Sequence, residues 1–477
     1  MPASVLTCPR VLVAGLGGGS GKTIVSLGLA RAFFEQGLKV QTYKKGPDYI
    51  DAKWLSLASH STTSNLDPFL LPPDILQNLF WSRAGNADLA LLEGNRGLYD
   101  GKDVVGSCSS AELAKMLKCP VIIVADCTKV TRTMAAIILG LTTFDPEVDI
   151  RGVILNRTAG CRHQTILRQS IEKYTDVQVL GVLPKLQENP IPERHMGLIS
   201  DAEFTHDPFT EIATFLRTHA DLDACLNIAR QAPAVSIELA PLYPPTGTVG
   251  SVRIGVARDA ALWFYYQENF DALQNAGAEL VEFSLLADKQ LPDVDALYMG
   301  GGFPETLAQG LAQNASMRAD VKSSVLDGMP VYAECGGLMY LSRELHYEGV
   351  IHQMADVFPL TTKVFKKPQG HGYMSSTVAS LNPFYPLKCR LTGHEFHYSR
   401  CLDAEVIASF VFQVERGQGM TKGHDGVLHR NCLAGYTHMH ALGNPDWAKN
   451  FVSAARQFRR CRESGRTCPD IRLEYNP

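Results

Sequence analysis

Short apolar runs recur through the first half of the chain, separated by stretches with helical period. Val11–Ala14, Val40–Tyr43, Leu89–Leu92, Val121–Ala125, Gly152–Leu155 and Val179–Pro184 read as buried strands. Ile24–Gln36 and Ala111–Leu117 read as amphipathic helices between them. This alternation predicts βαβ units and a mostly parallel sheet. The pattern breaks at Ala232–Ser251, a Pro-, Gly- and Thr-rich stretch without a clear period, which reads as a linker. A second α/β series follows, with strands expected at Arg253–Ala257, Glu279–Phe283, Ala296–Met299 and Pro330–Ala333. The pattern implies two α/β domains, residues 1–235 and 251–455, a linker at 236–250 and a basic tail at 456–477.

Length and composition agree with this division. The chain has 477 residues, 45% hydrophobic and 20% charged, a globular balance for more than one domain. A net charge of −4 removes any global basic field, so no nucleic acid partner is expected. The run RQFRRCRESGRTCPDIR near the C-terminus is locally basic and reads as a solvated helix end and tail. No apolar run approaches the roughly 18 residues of a spanning helix, and no membrane partner is expected. The N-terminus lacks a signal-peptide core, and the 12 cysteines form no C-x-x-C pair. A reduced, cytoplasmic protein fits, with Cys108, Cys119 and Cys127 as packing residues.

Chemistry first appears in AGLGGGSGKT, after the first strand. Gly17, Gly18, Gly19 and Gly21 let several backbone N–H groups turn toward one phosphate. Lys22 adds a charge for phosphate oxygens, and Thr23 a hydroxyl for Mg²⁺, at the start of a helix. The spacing is unusual, because Gly15 stands one residue earlier than the common phosphate loop requires. Downstream, YKKGPDYIDAKW places Lys44, Asp48 and Asp51 just after a strand, where doubly wound sheets bind ligands. Lys44 is a candidate for neutralising a transferring phosphoryl group. Asp48 is a candidate Mg²⁺ ligand, as is Glu93 at the start of EGNRGLYDG. Gly94 and Gly97 suggest close backbone approach to a ligand, and Lys45, Arg96 and Arg194 join Lys44 as candidate cations for an anionic substrate.

The second half carries a different signal. MPVYAECGGLMYLSREL reads as strand, sharp turn and helix, with Cys335 on the turn. A nucleophile suits that place, and a helix N-terminus there favours thiolate. His438 and His440 in YTHMHALGNP are candidate bases, and on a strand their rings would share a face. Gly301 and Gly302 in YMGGGFPE are candidate oxyanion donors. Core packing is expected for most of Trp263, Phe264, Tyr265 and Tyr266. A phosphate site and a thiol site together suggest ATP activation of a substrate coupled to glutamine hydrolysis.

AGLGGGSGKT, KKGPDYIDA, SNLDPF, EGNRGLYDG, AELAK, GGGFPE, AECGGLMYL, GHEFHYS and YTHMHALGNP, in this order, resemble the cobyrinic acid a,c-diamide synthase family. The resemblance implies a dethiobiotin-synthetase-like ATP-binding domain joined to a class I glutamine amidotransferase-like domain. It further implies ATP- and glutamine-dependent amidation of the a and c acetates of cobyrinic acid, with ATP and Mg²⁺ as cofactors, and leaves open a homodimer. The early Gly15 suits dethiobiotin-synthetase-like loops, and Gly17 stands where partition ATPases carry a signature lysine. Cys335 matches the glutaminase nucleophile and His438 its activating histidine. The glutamate that triad amidotransferases carry two residues later is replaced by His440, which points to a Cys335–His438 dyad. Amidation of a related tetrapyrrole such as nickel sirohydrochlorin shares these motifs. A regulatory or partition ATPase with an inactive second domain is the alternative of a different class.

Overall fold

The computed structural model describes residues 4–188, 190–191, 207–243, 252–404, 410–421 and 423–473. Arg194 and residues 244–251 of the expected linker lie outside them. The described residues divide into two compact units, the first ending at Leu242 and the second starting at Tyr243.

The first unit is built on a seven-stranded sheet. Its order is Ser64–Leu66, Val40–Lys45, Leu89–Gly97, Arg10–Gly15, Val121–Asp126, Ile150–Thr158 and Gln178–Pro184, with every pairing parallel. Central strands of such a sheet are covered on both faces, which is why Arg10–Gly15 is buried at every position and reads as an apolar run from Val11 on. Parallel pairing also brings the C-terminal strand ends to one edge. Lys44 pairs in register with Glu93, and Glu93 with Val13, just before the glycine loop. The edge strand Ser64–Leu66 was not expected, since three residues carry no readable period. Gly28 of the helix Lys22–Glu35 allows close approach of the helix Pro208–His219; a methyl there would lie 2.7 Å from Leu216 Cγ.

The first unit reaches beyond residue 235. Val235–Ile237 pairs antiparallel with Ser4–Leu6, so the linker region begins with a strand.

The second unit holds a mixed ten-stranded sheet. Ala278–Phe283, Val252–Ala257, Ala296–Met299, Val331–Glu334 and Cys432–Gly435 run parallel, and the remaining five strands add antiparallel. Alternation along the strands feeds two apolar clusters: Leu297, Met299, Val331 and Ala333 enter one, Tyr298, Tyr332 and Trp447 the other. Residues 456–473 are not a separate tail. The helix Asp446–Glu463 takes up their first part, and Phe458, Cys468 and Ile471 are buried in the core. Some of their basic side chains are paired locally: Arg462 binds Asp295 Oδ1 at 2.9 Å, and Arg472 binds Asp470. Among the described residues, no helix is long and apolar enough to cross a membrane.

Candidate functional site

In the first unit the candidate residues converge at the glycine loop. Gly21 has φ +91°, a left-handed conformation, and a methyl there would lie 2.1 Å from Asn156 Nδ2. Only glycine meets both conditions. Asn156, at the end of its strand, donates to Ser20 O at 3.0 Å and buttresses the loop. No spacing in the sequence singled it out. The early Gly15 also has a steric reason: a methyl would lie 2.2 Å from Ser20 Oγ and 3.0 Å from the Lys22 stem. Lys22 Nζ donates to Gly17 O at 3.1 Å, so its ammonium sits over the loop. Burial pulls its pKa down, opposed by the charge of Glu93.

Beside the loop lies a buried ion network. Lys44 Nζ donates to Asp51 Oδ2 at 2.7 Å and to Glu93 Oε1 at 2.8 Å. Thr23 Oγ1 donates to the same Glu93 oxygen at 2.8 Å. Burial works against the charge of Lys44, but Asp51 and Glu93 outweigh it and its pKa is raised. Burial raises the Glu93 carboxyl, opposed by Lys44. The other Glu93 oxygen, Oε2, is buried without a hydrogen-bond partner, an acceptor left over beside Thr23. Among the described residues no group of three or more His, Cys, Asp or Glu forms a metal cage.

Asp48 plays a different part from the metal ligand expected of it. Its Oδ1 caps the helix Tyr49–Ser59, accepting from Ile50 N at 2.9 Å and Asp51 N at 3.0 Å. The Pro-Asp pair is thus a helix start, and Asp51, on the first turn, is the carboxylate that meets Lys44 and so joins the network with Glu93. Gly94 and Gly97 approach protein rather than open space: methyls there would lie 2.8 Å from Ser110 Oγ and 2.8 Å from Asp100 Oδ2. Of the candidate substrate cations, Lys44 is taken up by its carboxylates, Lys45 is buried and Arg96 is exposed.

In the second unit Cys335 ends the strand Val331–Glu334 with φ 47° and ψ −95°, strained backbone for a side chain with a Cβ. Its N–H donates to Gly435 O at 2.7 Å, and its carbonyl accepts from Met339 N at 3.0 Å. This turn is an elbow between strand and the short helix Gly336–Leu341. The helix does not make the thiol acidic. Burial, with Glu305 and Glu334 nearby, raises its pKa. A base must therefore take its proton.

Gly301 and Gly302 form a two-residue strand paired antiparallel with Leu262–Phe264, not an open loop. Side chains are excluded by their neighbours. A methyl at Gly301 would lie 2.3 Å from His438 Cε1, and one at Gly302 2.1 Å from Ala261 O. A methyl at Gly336 would lie 3.0 Å from Gly302 N. The glycine strand therefore touches His438 and the residue after Cys335. Phe264 packs edge-on against His438 at 6.3 Å and against Phe303 at 5.2 Å. Tyr265 accepts from Gly300 N at 2.8 Å.

His438 and His440 part company. His438 Nδ1 lies 3.5 Å from Glu334 Oε2, both side chains fully buried, and His394 stacks on the ring at 4.9 Å. His440 Nε2 lies 3.5 Å from Glu268 Oε2, and its Nδ1 accepts from Leu442 N at 3.3 Å. The strand ends at Met439, so two-residue periodicity does not carry both rings to one partner.

The fold and these two sites define a class: a nucleotide-binding enzyme with a fused amidotransferase-type domain. Residues 11–199 match the family model described as the CobQ/CobB/MinD/ParA nucleotide binding domain, and residues 253–446 that of the CobB/CobQ-like glutamine amidotransferase domain. The chain is 40% identical to a cobyrinate a,c-diamide synthase of Magnetococcus marinus, over 92% of this chain and 96% of the relative. It is 42% identical to one of Archaeoglobus fulgidus, over 94% and 97%, and 39% to one of Dehalococcoides mccartyi, over 94% and 99%. The chain belongs to the cobyrinate a,c-diamide synthase family.

Proposed function

We propose that this chain amidates the a and c acetate carboxylates of cobyrinic acid, with ATP as activator and glutamine as nitrogen source. The observation that carries this reading is the family likeness over more than nine-tenths of the chain, joined to a phosphate loop and a cysteine elbow in the same molecule.

In this reading the backbone N–H groups of Gly17, Gly18, Gly19 and Gly21 hold phosphate oxygens, and Lys22 turns from Gly17 O to the phosphate. A substrate carboxylate oxygen attacks the γ-phosphorus, ADP leaves and an acyl phosphate forms. Positioning and charge neutralisation do most of the work. Mg²⁺, when bound with the nucleotide, neutralises phosphate charge. Thr23 Oγ1 and the unshared Glu93 Oε2 would hold it or its water, and phosphate oxygens would supply the other ligands. Asp48 has its Oδ1 engaged in the helix cap.

In the second unit His438 takes the Cys335 proton, and Sγ attacks the glutamine amide carbon. Backbone donors of Gly301 and Gly302 face the developing oxyanion. Ammonia leaves with the returned proton, and water hydrolyses the thioester to glutamate. Ammonia then displaces phosphate from the acyl phosphate, giving the amide. Incubation with ATP, Mg²⁺, glutamine and cobyrinic acid, followed by mass spectrometry, should show two exchanges of O for NH. Nickel sirohydrochlorin forms the second arm; its conversion, with cobyrinic acid untouched, would reassign the substrate.

A further inference from the structure

We propose that Glu334, the residue directly before the nucleophile, is the positioning carboxylate of the glutaminase site and orients His438 through Nδ1. The inference rests on the glutaminase reading above and adds a member to the Cys335–His438 dyad.

Two residues after His438 stands His440, whose two ring nitrogens are directed to Glu268 and to the backbone of Leu442. Nothing on the histidine's own strand supplies a carboxylate to His438. The neighbouring elements do. Glu334 Oε2 lies 3.5 Å from His438 Nδ1, and Glu334 Oε1 accepts from Met439 N at 3.3 Å. One carboxylate thus spans the imidazole and the backbone of the next residue. It contacts both the ring and the short strand that carries it.

The remaining faces of the ring are also closed. Gly301 lies against Cε1, and His394 stacks on the plane, tilted by 21°. With Nδ1 held toward Glu334, Nε2 is the nitrogen left for the thiol proton. At 3.5 Å the Nδ1–Oε2 pair is a close ion-pair contact rather than a formed hydrogen bond; catalytic hydrogen bonds commonly tighten only when substrate binds. When Cys335 yields its proton, an imidazolium forms in a dry site, and an adjacent carboxylate stabilises it. The burial that raises the Glu334 carboxyl is opposed by His438. The elbow explains the adjacency: the strand Val331–Glu334 directs Glu334 toward His438, and the turn then reverses the chain to present Cys335.

Other titratable groups face this cluster. His394 lies on the stacked ring, with Tyr266 at its Nδ1 and His371 and His440 in its field. Tyr265 and Tyr298 feel Glu334, and Cys335 feels Glu305 and Asp425. A pH profile must therefore be read as a difference between variants.

The test is glutamine hydrolysis by wild type, Glu334→Gln and Glu334→Asp across the neutral pH range, with thermal unfolding to report the fold. Glu334→Gln should lower kcat by about 10²–10⁴-fold with little change in KM for glutamine, as for other orienting carboxylates. Its acidic limb should move to lower pH, because the imidazolium loses a stabilising charge. Glu334→Asp should recover part of kcat. A Glu334→Gln variant with wild-type kcat and limb overturns the assignment. If that variant does not fold, an unchanged kcat and limb in Glu334→Asp overturns it equally, since the shorter side chain withdraws from Nδ1. Cys335→Ser separates the two levels: wild-type hydrolysis that survives this change overturns the glutaminase reading itself.

Discussion

The two candidate sites handle charge in opposite ways. At the phosphate loop full charges are packed against one another, with Lys44 between Asp51 and Glu93 and Lys22 above the glycines. At the cysteine elbow a thiol and an imidazole lie with the carboxyls of Glu334 and Glu305, all buried, and burial raises the thiol's pKa. The first arrangement suits a polyanion, whose charge must be met by cations already in place. The second suits a neutral amide, for which the task is moving one proton in a dry site. Burial raises both Glu93 and Glu334, but an ammonium answers the first and an imidazole the second. The lesson is that the counter-group, more than burial, decides what a buried carboxylate does.

The largest effects are expected when each site is disabled in turn. Cys335→Ser should lower glutamine hydrolysis by roughly 10³-fold or more while ammonia still supports amidation. Lys22→Ala should remove amidation with either nitrogen source while glutamine hydrolysis persists. Rates of ammonia- and glutamine-supported amidation in both variants check this, and a common loss in either would join the two sites into one.

A second expectation concerns stability. Lys44→Met leaves Glu93 and Asp51 without their shared cation, so unfolding free energy should fall by about 3–5 kcal/mol. Urea unfolding measures it, and a neutral result would show that the network relaxes easily.

The third expectation sharpens the contrast at the dry site. Burial raises the Glu305 carboxyl from 4.5 to about 7, and its Oε2 has no hydrogen-bond partner. The folded state therefore binds this proton more tightly than the unfolded state between those values. Stability is fully present below the unfolded pKa and falls as pH rises through the folded one, by about 3 kcal/mol at most. Glu305→Gln should remove this slope, stabilising the protein at pH 8 relative to pH 5. Melting temperatures of the two proteins at both pH values give the answer; parallel curves would refute it.

The smallest effect is expected at Asp48. As a helix cap, Asp48→Ala should cost about 1 kcal/mol, with little change in the Mg²⁺ concentration needed for activity. A large shift in that requirement, with stability intact, would restore the metal role.

Much of the architecture was legible in advance because it rests on local pattern. Buried strand cores appear as apolar runs, and the glycines before Lys22 announce the phosphate turn. The edge strand Ser64–Leu66 was too short to show a period, and the C-terminal helix hid its apolar stripe among arginines. At the sites the residue types were readable, but their partners were not. Asp48 and Asp51 are identical residues three positions apart, yet helix geometry turns one back to cap the backbone and the other toward Lys44.

The two α/β series, the glycine loop, the cysteine elbow and the family resemblance are legible from the chain because each is written in neighbouring residues. Tertiary structure alone decided which carboxylate meets which cation or ring. Strand register places Glu93 opposite Lys44. The sheet and elbow bring Glu334 to His438 across more than a hundred residues. Hydrogen bonds and ion pairs depend on distances of a few ångströms. Those distances are set by packing among segments remote in the chain, which no local pattern records.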